Sequence, residues 1–191
     1  MIPAALLVRA VLVTAALALT TTAVPAPARA DEQPPLYALV DAAATRLQTA
    51  DDVAASKWTT GGSIEDPARE RQVLDAVAAA ATERGVDPTY VTAALRNQID
   101  ATVGVEYALF GDWKLDPASA PTAAPNLANS RSTIDALNRT MVSEIAGQWD
   151  SLHSSGCPAE LQAVRDAVAV ARHLDELYQR GLALATRSYC Q

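Results

Sequence analysis

The sequence has 191 residues, half of them hydrophobic, and its 15 basic and 22 acidic side chains give a net charge of −7 at pH 7. A chain this acidic is a poor candidate for binding nucleic acid or an anionic membrane, because both attract clustered positive charge. Its length fits a single domain with enough residues to bury a hydrophobic core.

Residues 1–30 have the pattern of a secretory signal peptide. Arg9 precedes an eleven-residue apolar run, Ala10–Thr20, and an Ala-Arg-Ala cleavage signal ends at Ala30. This run is shorter than the ~20 residues that a membrane-spanning helix needs. We therefore expect cleavage near Ala30, a secreted or periplasmic location and a mature domain of residues 31–191. Cleavage removes two arginines, which leaves 13 basic and 22 acidic residues and a net charge of −9.

Apolar residues recur at intervals of three and four along the rest of the chain, which predicts an all-α fold. The first predicted helix runs from about Leu36 to Lys57. Asp66 and Pro67 then form a helix start signal, an N-cap followed by proline, and this second helix is expected to end at Gly85.

The same start signal recurs at Asp87-Pro88 and predicts a third helix that reaches about Phe110. Residues 115–129 contain three prolines and are predicted to connect this helix to the next. A fourth helix is expected over about residues 130–149. The last is expected to begin after Pro158 and to continue through Leu184.

Several charged residues fall on the apolar, inward-facing stripes of these helices. Buried charges are costly unless they are paired, so each inward cation requires a partner. Internal salt bridges are one explanation, although only Glu106 and Asp66 are placed opposite four cations. The other explanation is a small dianion bound between the helices, because arginine can bind a carboxylate through two parallel hydrogen bonds. The inward polar residues are Arg46, Lys57, Arg69, Thr102, Glu106 and Arg131.

No motif for a metal, a phosphate or a nucleophile is present. His153 and His173 share no metal-ligand spacing, and glycine-rich phosphate loops, GxSxG and HExxH are absent. We therefore expect neither metal nor cofactor, and an enzyme with this sequence would act by binding and electrostatics. Cys157 and Cys190 are predicted to form a disulfide, because export places them in an oxidising compartment and no third ligand accompanies them.

Eight short stretches of the chain form a recognisable set in their order and spacing: Ala44–Leu47, Lys57–Trp58, Ile64–Arg69, Asp87–Val91, Gln98–Tyr107, Asp112–Leu115, Ser130–Ser132 and Leu177–Arg180. Together they resemble the secreted, periplasmic-type (gamma subclass) all-helical chorismate mutases. The resemblance covers essentially the whole mature chain and implies a single-domain, multi-helix type II fold with one disulfide, at Cys157 and Cys190. It also implies a homodimer.

The resemblance also implies an activity, the rearrangement of chorismate to prephenate in the shikimate pathway toward phenylalanine and tyrosine. This pericyclic reaction needs the substrate held in its compact conformer and the growing charge on its ether oxygen stabilised. Lys57, Glu106 and Arg46 are the predicted catalytic residues. Glu106 can donate to that oxygen only when protonated; burial would raise its pKa, whereas the surrounding arginines would lower it. The predicted substrate-binding set is Arg46, Lys57, Asp66, Arg69, Thr102, Glu106 and Arg131.

Two positions depart from the closest secreted pattern. Val73 stands where that pattern has a polar contact, and Glu70 follows the cytosolic pattern as a candidate for the substrate hydroxyl. The alternative function is a non-catalytic secreted helical protein that binds a small dicarboxylate or a host partner. Replacing Arg46, Lys57 or Arg131 in such a protein would abolish no measurable activity.

Overall fold

The computed structural model describes residues 33–191 and contains eight helices and no strand within them. The prediction of an all-α fold is confirmed. The signal peptide predicted for residues 1–30 lies outside the described residues. The helices are α1 (Tyr37–Gln48), α2 (Ala50–Thr60), α3 (Pro67–Glu83), α4 (Pro88–Leu115), α5 (Leu127–Gly147), α6 (Trp149–Leu152), α7 (Cys157–Ala171) and α8 (Glu176–Ala185).

Both aspartate-proline start signals are correct. The Asp66 side chain accepts a hydrogen bond from the backbone N–H of Arg69 at 3.0 Å, and Asp87 accepts one from Thr89 at 2.8 Å. Each aspartate thereby satisfies a backbone donor that the first helical turn leaves unpaired. At the other end of α3, Gly85 adopts a positive φ of 70°, as expected for a residue that follows a helix.

The single helix predicted over residues 36–57 is wrong, because the chain forms α1 and α2 with a break at Thr49. The Thr49 hydroxyl donates to the carbonyl of Arg46 at 2.7 Å, and the Thr49 N–H donates to the same oxygen at 3.2 Å. This local bonding closes α1 one turn after Arg46. Helix α2 then continues to Thr60 and ends at Gly61, which has a positive φ of 70°.

The single last helix is also wrong, since α7 and α8 are separated at residues 172–175. His173 has a positive φ of 52° and lies between the two helices. The Leu174 N–H donates a hydrogen bond to the carbonyl of Ala169 at 2.9 Å, and α7 ends there. Asp175 then caps α8 by accepting from the N–H of Tyr178 at 2.9 Å.

The connector between the third and fourth predicted helices is shorter than residues 115–129. Helix α4 continues through Leu115, and α5 begins at Leu127 rather than at Ser130. The early start has a local cause, because the Asn126 side chain accepts from the N–H groups of Ala128 and Asn129.

Helix α1 lies in the centre of the core, and Leu39, Val40, Ala43 and Leu47 on it are fully buried. It packs against α4, α5, α7 and α8, so Arg46 is attached to a helix that is surrounded by other helices. None of the helices between residues 33 and 191 has the length and apolarity needed to cross a membrane.

The predicted disulfide between Cys157 and Cys190 is confirmed, with 5.6 Å between the Cα atoms. It joins the start of α7 to the end of the chain. Tyr189, next to it, is fully buried, and its carbonyl accepts from the Tyr90 hydroxyl at 2.5 Å. The C-terminal segment is therefore fixed to the core by packing and hydrogen bonding as well as by the disulfide.

Candidate active site

All seven residues predicted to bind a substrate line one cavity between α1, α2, α3, α4 and α5. The cavity has a volume of about 100 Å³, which is several times the space that a single water molecule requires. Helical spacing placed six of them on inward faces, Asp66 was expected at the start of a helix, and the packing of the helices brings all seven together. The seven are Arg46, Lys57, Asp66, Arg69, Thr102, Glu106 and Arg131.

Arg46 is the most deeply buried cation of the cavity, with 4% of its surface exposed. Its Nε donates to Asn138 Oδ1 at 2.7 Å and its NH1 donates to Thr102 Oγ1 at 3.2 Å. Both acceptors are neutral, and among residues 33–191 no carboxylate forms a salt bridge with it. Desolvation by burial lowers the pKa of Arg46 to about 10, so the side chain remains cationic at neutral pH.

Lys57 and Glu106 form an ion pair inside the cavity, with 2.7 Å between Lys57 Nζ and Glu106 Oε2. The same ammonium donates to the carbonyl of Ile64 at 2.5 Å. Glu106 is only 2% exposed, and this burial raises the pKa of its carboxyl group, although the hydrogen bond from Lys57 opposes the rise.

At the cavity rim, Asp66 connects the start of α3 to α5. One carboxylate oxygen caps α3 at the N–H of Arg69, and the other lies 3.1 Å from NH2 of Arg131. Arg69 in turn pairs with Asp135 at 2.5 Å. Lys57, Arg69 and Arg131 therefore each form an internal salt bridge. The expectation that only Glu106 and Asp66 face the cations is wrong, because Asp135 pairs with Arg69.

The charges that line the cavity do not cancel. Four cations and three carboxylates (Asp66, Glu70 and Glu106) line it and give a net charge of +1. Their ionic partners outside the wall, Asp135 on Arg69 and Arg96 on Glu70, add one charge of each sign and leave this sum unchanged. Protonation of Glu106 raises it to +2. The remaining wall is mostly aliphatic. Such a cavity suits a compact organic dianion with an apolar body. The aliphatic residues are Val53, Ile64, Val73, Ile99, Val103, Leu127 and Ile134.

Besides Asp135, sequence reasoning missed two polar residues that support this site. Asn138, 3% exposed, holds Arg46, and Arg96 holds Glu70 at 2.8 Å on the cavity wall. A signal for Asn138 was present, because it lies four residues after Ile134 and three before Met141 on the inward stripe of α5. Arg96 had no comparable signal, since its side chain is 37% exposed.

Comparison with known proteins gives consistent matches. Residues 37–107 match the family model for chorismate mutase type II. A protein of Mycolicibacterium smegmatis named secreted chorismate mutase is 57% identical over 164 residues, which are 86% of this chain and 91% of that protein. A protein of the same name from Mycobacterium tuberculosis is 49% identical over 164 residues, covering 86% of this chain and 82% of its own length.

The fold has solved counterparts as well. A crystal structure of chorismate mutase from Burkholderia phymatum superposes with a TM-score of 0.78 at 31% identity. The superposition covers 82% of this chain and 96% of that one. The similarity therefore extends over most of both chains.

Proposed function

Because this chain belongs to the chorismate mutase family, we propose that its cavity binds chorismate and rearranges it to prephenate. The enzyme is an isomerase, and its product leads toward phenylalanine and tyrosine. The observation that supports this assignment best is Arg46, a buried cation with neutral partners in a cavity of net positive charge. Chorismate is a compact dicarboxylate, and its binding would compensate that charge.

The reaction breaks the carbon–oxygen bond of the ether as a carbon–carbon bond forms, in one step without a covalent intermediate. Negative charge grows on the ether oxygen in the transition state. We assign Lys57 to this oxygen, because Glu106 and the Ile64 carbonyl occupy two of its three N–H donors and one remains. A preorganised donor of this kind stabilises the transition state more than the ground state.

Glu106 would act from the same part of the cavity as a second donor. Burial raises the pKa of its carboxyl group, which favours the protonated form. A proton on Oε1 leaves Oε2 as the acceptor for Lys57 and provides a neutral O–H donor for the ether oxygen. Lys57 and protonated Glu106 can therefore both donate a hydrogen bond to the ether oxygen as its bond to carbon breaks.

The other predicted residues would hold the rest of the substrate. Arg46, Arg69 and Arg131 are assigned to the two carboxylates, and Thr102 orients Arg46. The substrate hydroxyl would meet the Asp66 region or Glu70, whose carboxylate lines the cavity and is fixed by Arg96 at 2.8 Å. Restricting both ends in this way selects the compact reactive conformer.

We assign a secreted location, in agreement with the names of the two mycobacterial relatives. Residues 1–30 are proposed as the signal peptide and residues 31–191 as the mature domain. Confirmation requires the N-terminal sequence of the exported protein, which is expected to begin at Asp31. A start at Met1 in the exported protein would contradict the assignment.

A homodimer is proposed on the basis of an aromatic patch at the end of α4. Trp58 of α2 and Phe110 and Trp113 of α4 stack edge-on or tilted with ring centroids 5.1–5.8 Å apart. On the same part of α4, Tyr107 and Leu115 are 52% and 87% exposed. Exposed apolar clusters of this kind commonly mark interfaces. Sedimentation equilibrium is expected to give a dimer for the wild type and a monomer for Trp113→Glu.

The direct test follows the loss of chorismate absorbance with purified, oxidised protein. Wild type is expected to consume chorismate rapidly, and Arg46→Ala is expected to abolish most of this activity. Arg180→Ala is the matched control, because Arg180 lies on the exposed side of α8 with its side chain 68% accessible. A folded wild type without activity would favour the alternative, a secreted helical protein that binds a small dicarboxylate or a host partner.

A further inference from the structure

Asn138 lies behind the cavity wall on α5 and contacts the most buried cation of the site. It is 3% exposed, and its Oδ1 accepts the Nε hydrogen of Arg46 at 2.7 Å. It is not among the residues that line the cavity. Asn138 instead lines a neighbouring cavity with Arg69 and Asp135, and its side-chain hydrogen bond to Arg46 connects it to the candidate site.

The bonding of Arg46 leaves part of its guanidinium available. Arginine has five N–H donors in a fixed plane. In the described part of the chain one is used by Asn138 and one by Thr102, and both partners are uncharged. The three that remain, on NH1 and NH2, are sufficient for the two oxygens of a ligand carboxylate.

Asp135, three residues before Asn138 on α5, can be compared with Asn138. Asp135 also contacts an arginine of the cavity, Arg69, at 2.5 Å, but it does so with a full negative charge. Arg69 has 21% of its side chain exposed, whereas Arg46 has 4% of its surface exposed. The same helix thus presents a charged acceptor to the more accessible arginine and a neutral acceptor to the buried one.

We propose that Asn138 is a positioning residue, which fixes the guanidinium plane of Arg46 with a neutral acceptor and so keeps its full positive charge for a substrate carboxylate. This inference rests on the proposed function. An apolar residue at position 138 would leave the buried Nε without a partner. An aspartate would form an ion pair with Arg46 and compete with the substrate, since charges in contact at low dielectric interact strongly.

The test is Asn138→Asp, which keeps the size and shape of the side chain and adds one negative charge. Its matched control is Asn129→Asp, the same substitution at an exposed position on α5. The KM for chorismate is expected to rise at least tenfold in Asn138→Asp, with kcat changed less than threefold. The melting temperature is expected to stay at or above that of wild type, because a buried arginine gains an ionic partner. Asn129→Asp is expected to leave KM within twofold.

Affinity for the product prephenate, measured by titration calorimetry, separates this inference from the proposed function. Chorismate turnover by the wild type tests the function, whereas the ratio of prephenate Kd values tests Asn138 without any catalysis. A folded Asn138→Asp whose KM and Kd both stay within threefold of the Asn129→Asp values would overturn the inference. A fall in kcat and melting temperature with no rise in KM would also overturn it, since a structural role alone produces that result.

A second variant covers the case in which Asn138→Asp does not fold. Asn138→Ala removes the acceptor without adding charge, and it leaves the guanidinium free to turn. Its KM is expected to rise at least threefold, with a helical circular dichroism spectrum like that of wild type. An unchanged KM in this variant would exclude a positioning role.

Discussion

Lys57 Nζ lies 2.7 Å from Glu106 Oε2 inside the cavity, and Glu106 is 2% exposed. Such a pair joins a strong donor to a carboxyl group whose pKa is raised by its own burial. The two residues belong to α2 and α4, so their contact depends on how these helices pack. Their protonation state determines whether the cavity presents one donor or two to a bound ether oxygen.

The first prediction concerns the pH dependence of Glu106→Gln. If the protonated carboxyl is the active form, wild-type kcat/KM falls as the pH rises through the pKa of Glu106, which burial holds above 4.5. Glutamine keeps a neutral donor at every pH, so the variant is expected to lose this decline and to exceed wild type at alkaline pH. Initial rates measured between pH 5 and 9 test this, and parallel profiles for the two proteins would eliminate the protonated-donor hypothesis.

The second prediction concerns Lys57→Ala. Loss of a single preorganised donor to a developing oxyanion typically lowers kcat by about 10²–10³. We expect a decline of this size, because no other cation lies within hydrogen-bond distance of Glu106 in the described structure. Lys114→Ala, at an exposed position near the end of α4, is the control and should retain wild-type kcat. A Lys57→Ala rate within fivefold of wild type would argue against a donor role.

The third prediction concerns the disulfide. Its 33-residue sequence separation corresponds to about 3–4 kcal/mol of stabilisation in the chain-entropy model. The double variant Cys157→Ala/Cys190→Ala is expected to lose this amount in the free energy of unfolding, measured by urea denaturation. Its activity under native conditions should persist, because the C-terminal segment is also held by the buried Tyr189 side chain and by the hydrogen bond from Tyr90 to the Tyr189 carbonyl. Equal unfolding midpoints for oxidised and reduced wild type would contradict this estimate.

The fourth prediction compares two glycines in helices. A Cβ at Gly181 in α8 would lie 2.8 Å from Leu47 Cδ2 and 3.3 Å from Val105 Cγ2, so Gly181→Ala forces neighbouring core side chains to move. Overpacking of this kind costs about 1–3 kcal/mol. Gly104→Ala in α4 meets nothing within 4 Å and is expected to stabilise by about 0.5–1 kcal/mol through helix propensity. Thermal denaturation of both variants would show opposite shifts, and a stabilised Gly181→Ala would contradict the packing argument.

Sequence periodicity predicted which side chains face inward, because the burial of an apolar stripe determines the orientation of a helix. Arg46, Thr102 and Glu106 lie on such stripes, and all three line the cavity. The breaks at Thr49 and His173 were not predicted. Each depends on local hydrogen bonds to the preceding turn, and threonine or histidine at those positions is also compatible with a continuous helix.

The amino-acid sequence alone determined the helical class and the set of inward charges, because these follow from spacing along one element at a time, and it determined the cysteine pair because the chain has only two cysteines. Only the tertiary structure decided how the charges are paired. Arg46 meets the neutral Asn138, 92 residues away in sequence, while Arg69 meets Asp135 and Lys57 meets Glu106. The physical reason is that charge compensation acts over a few ångströms between packed helices, and the distance along the chain does not determine which side chains come that close.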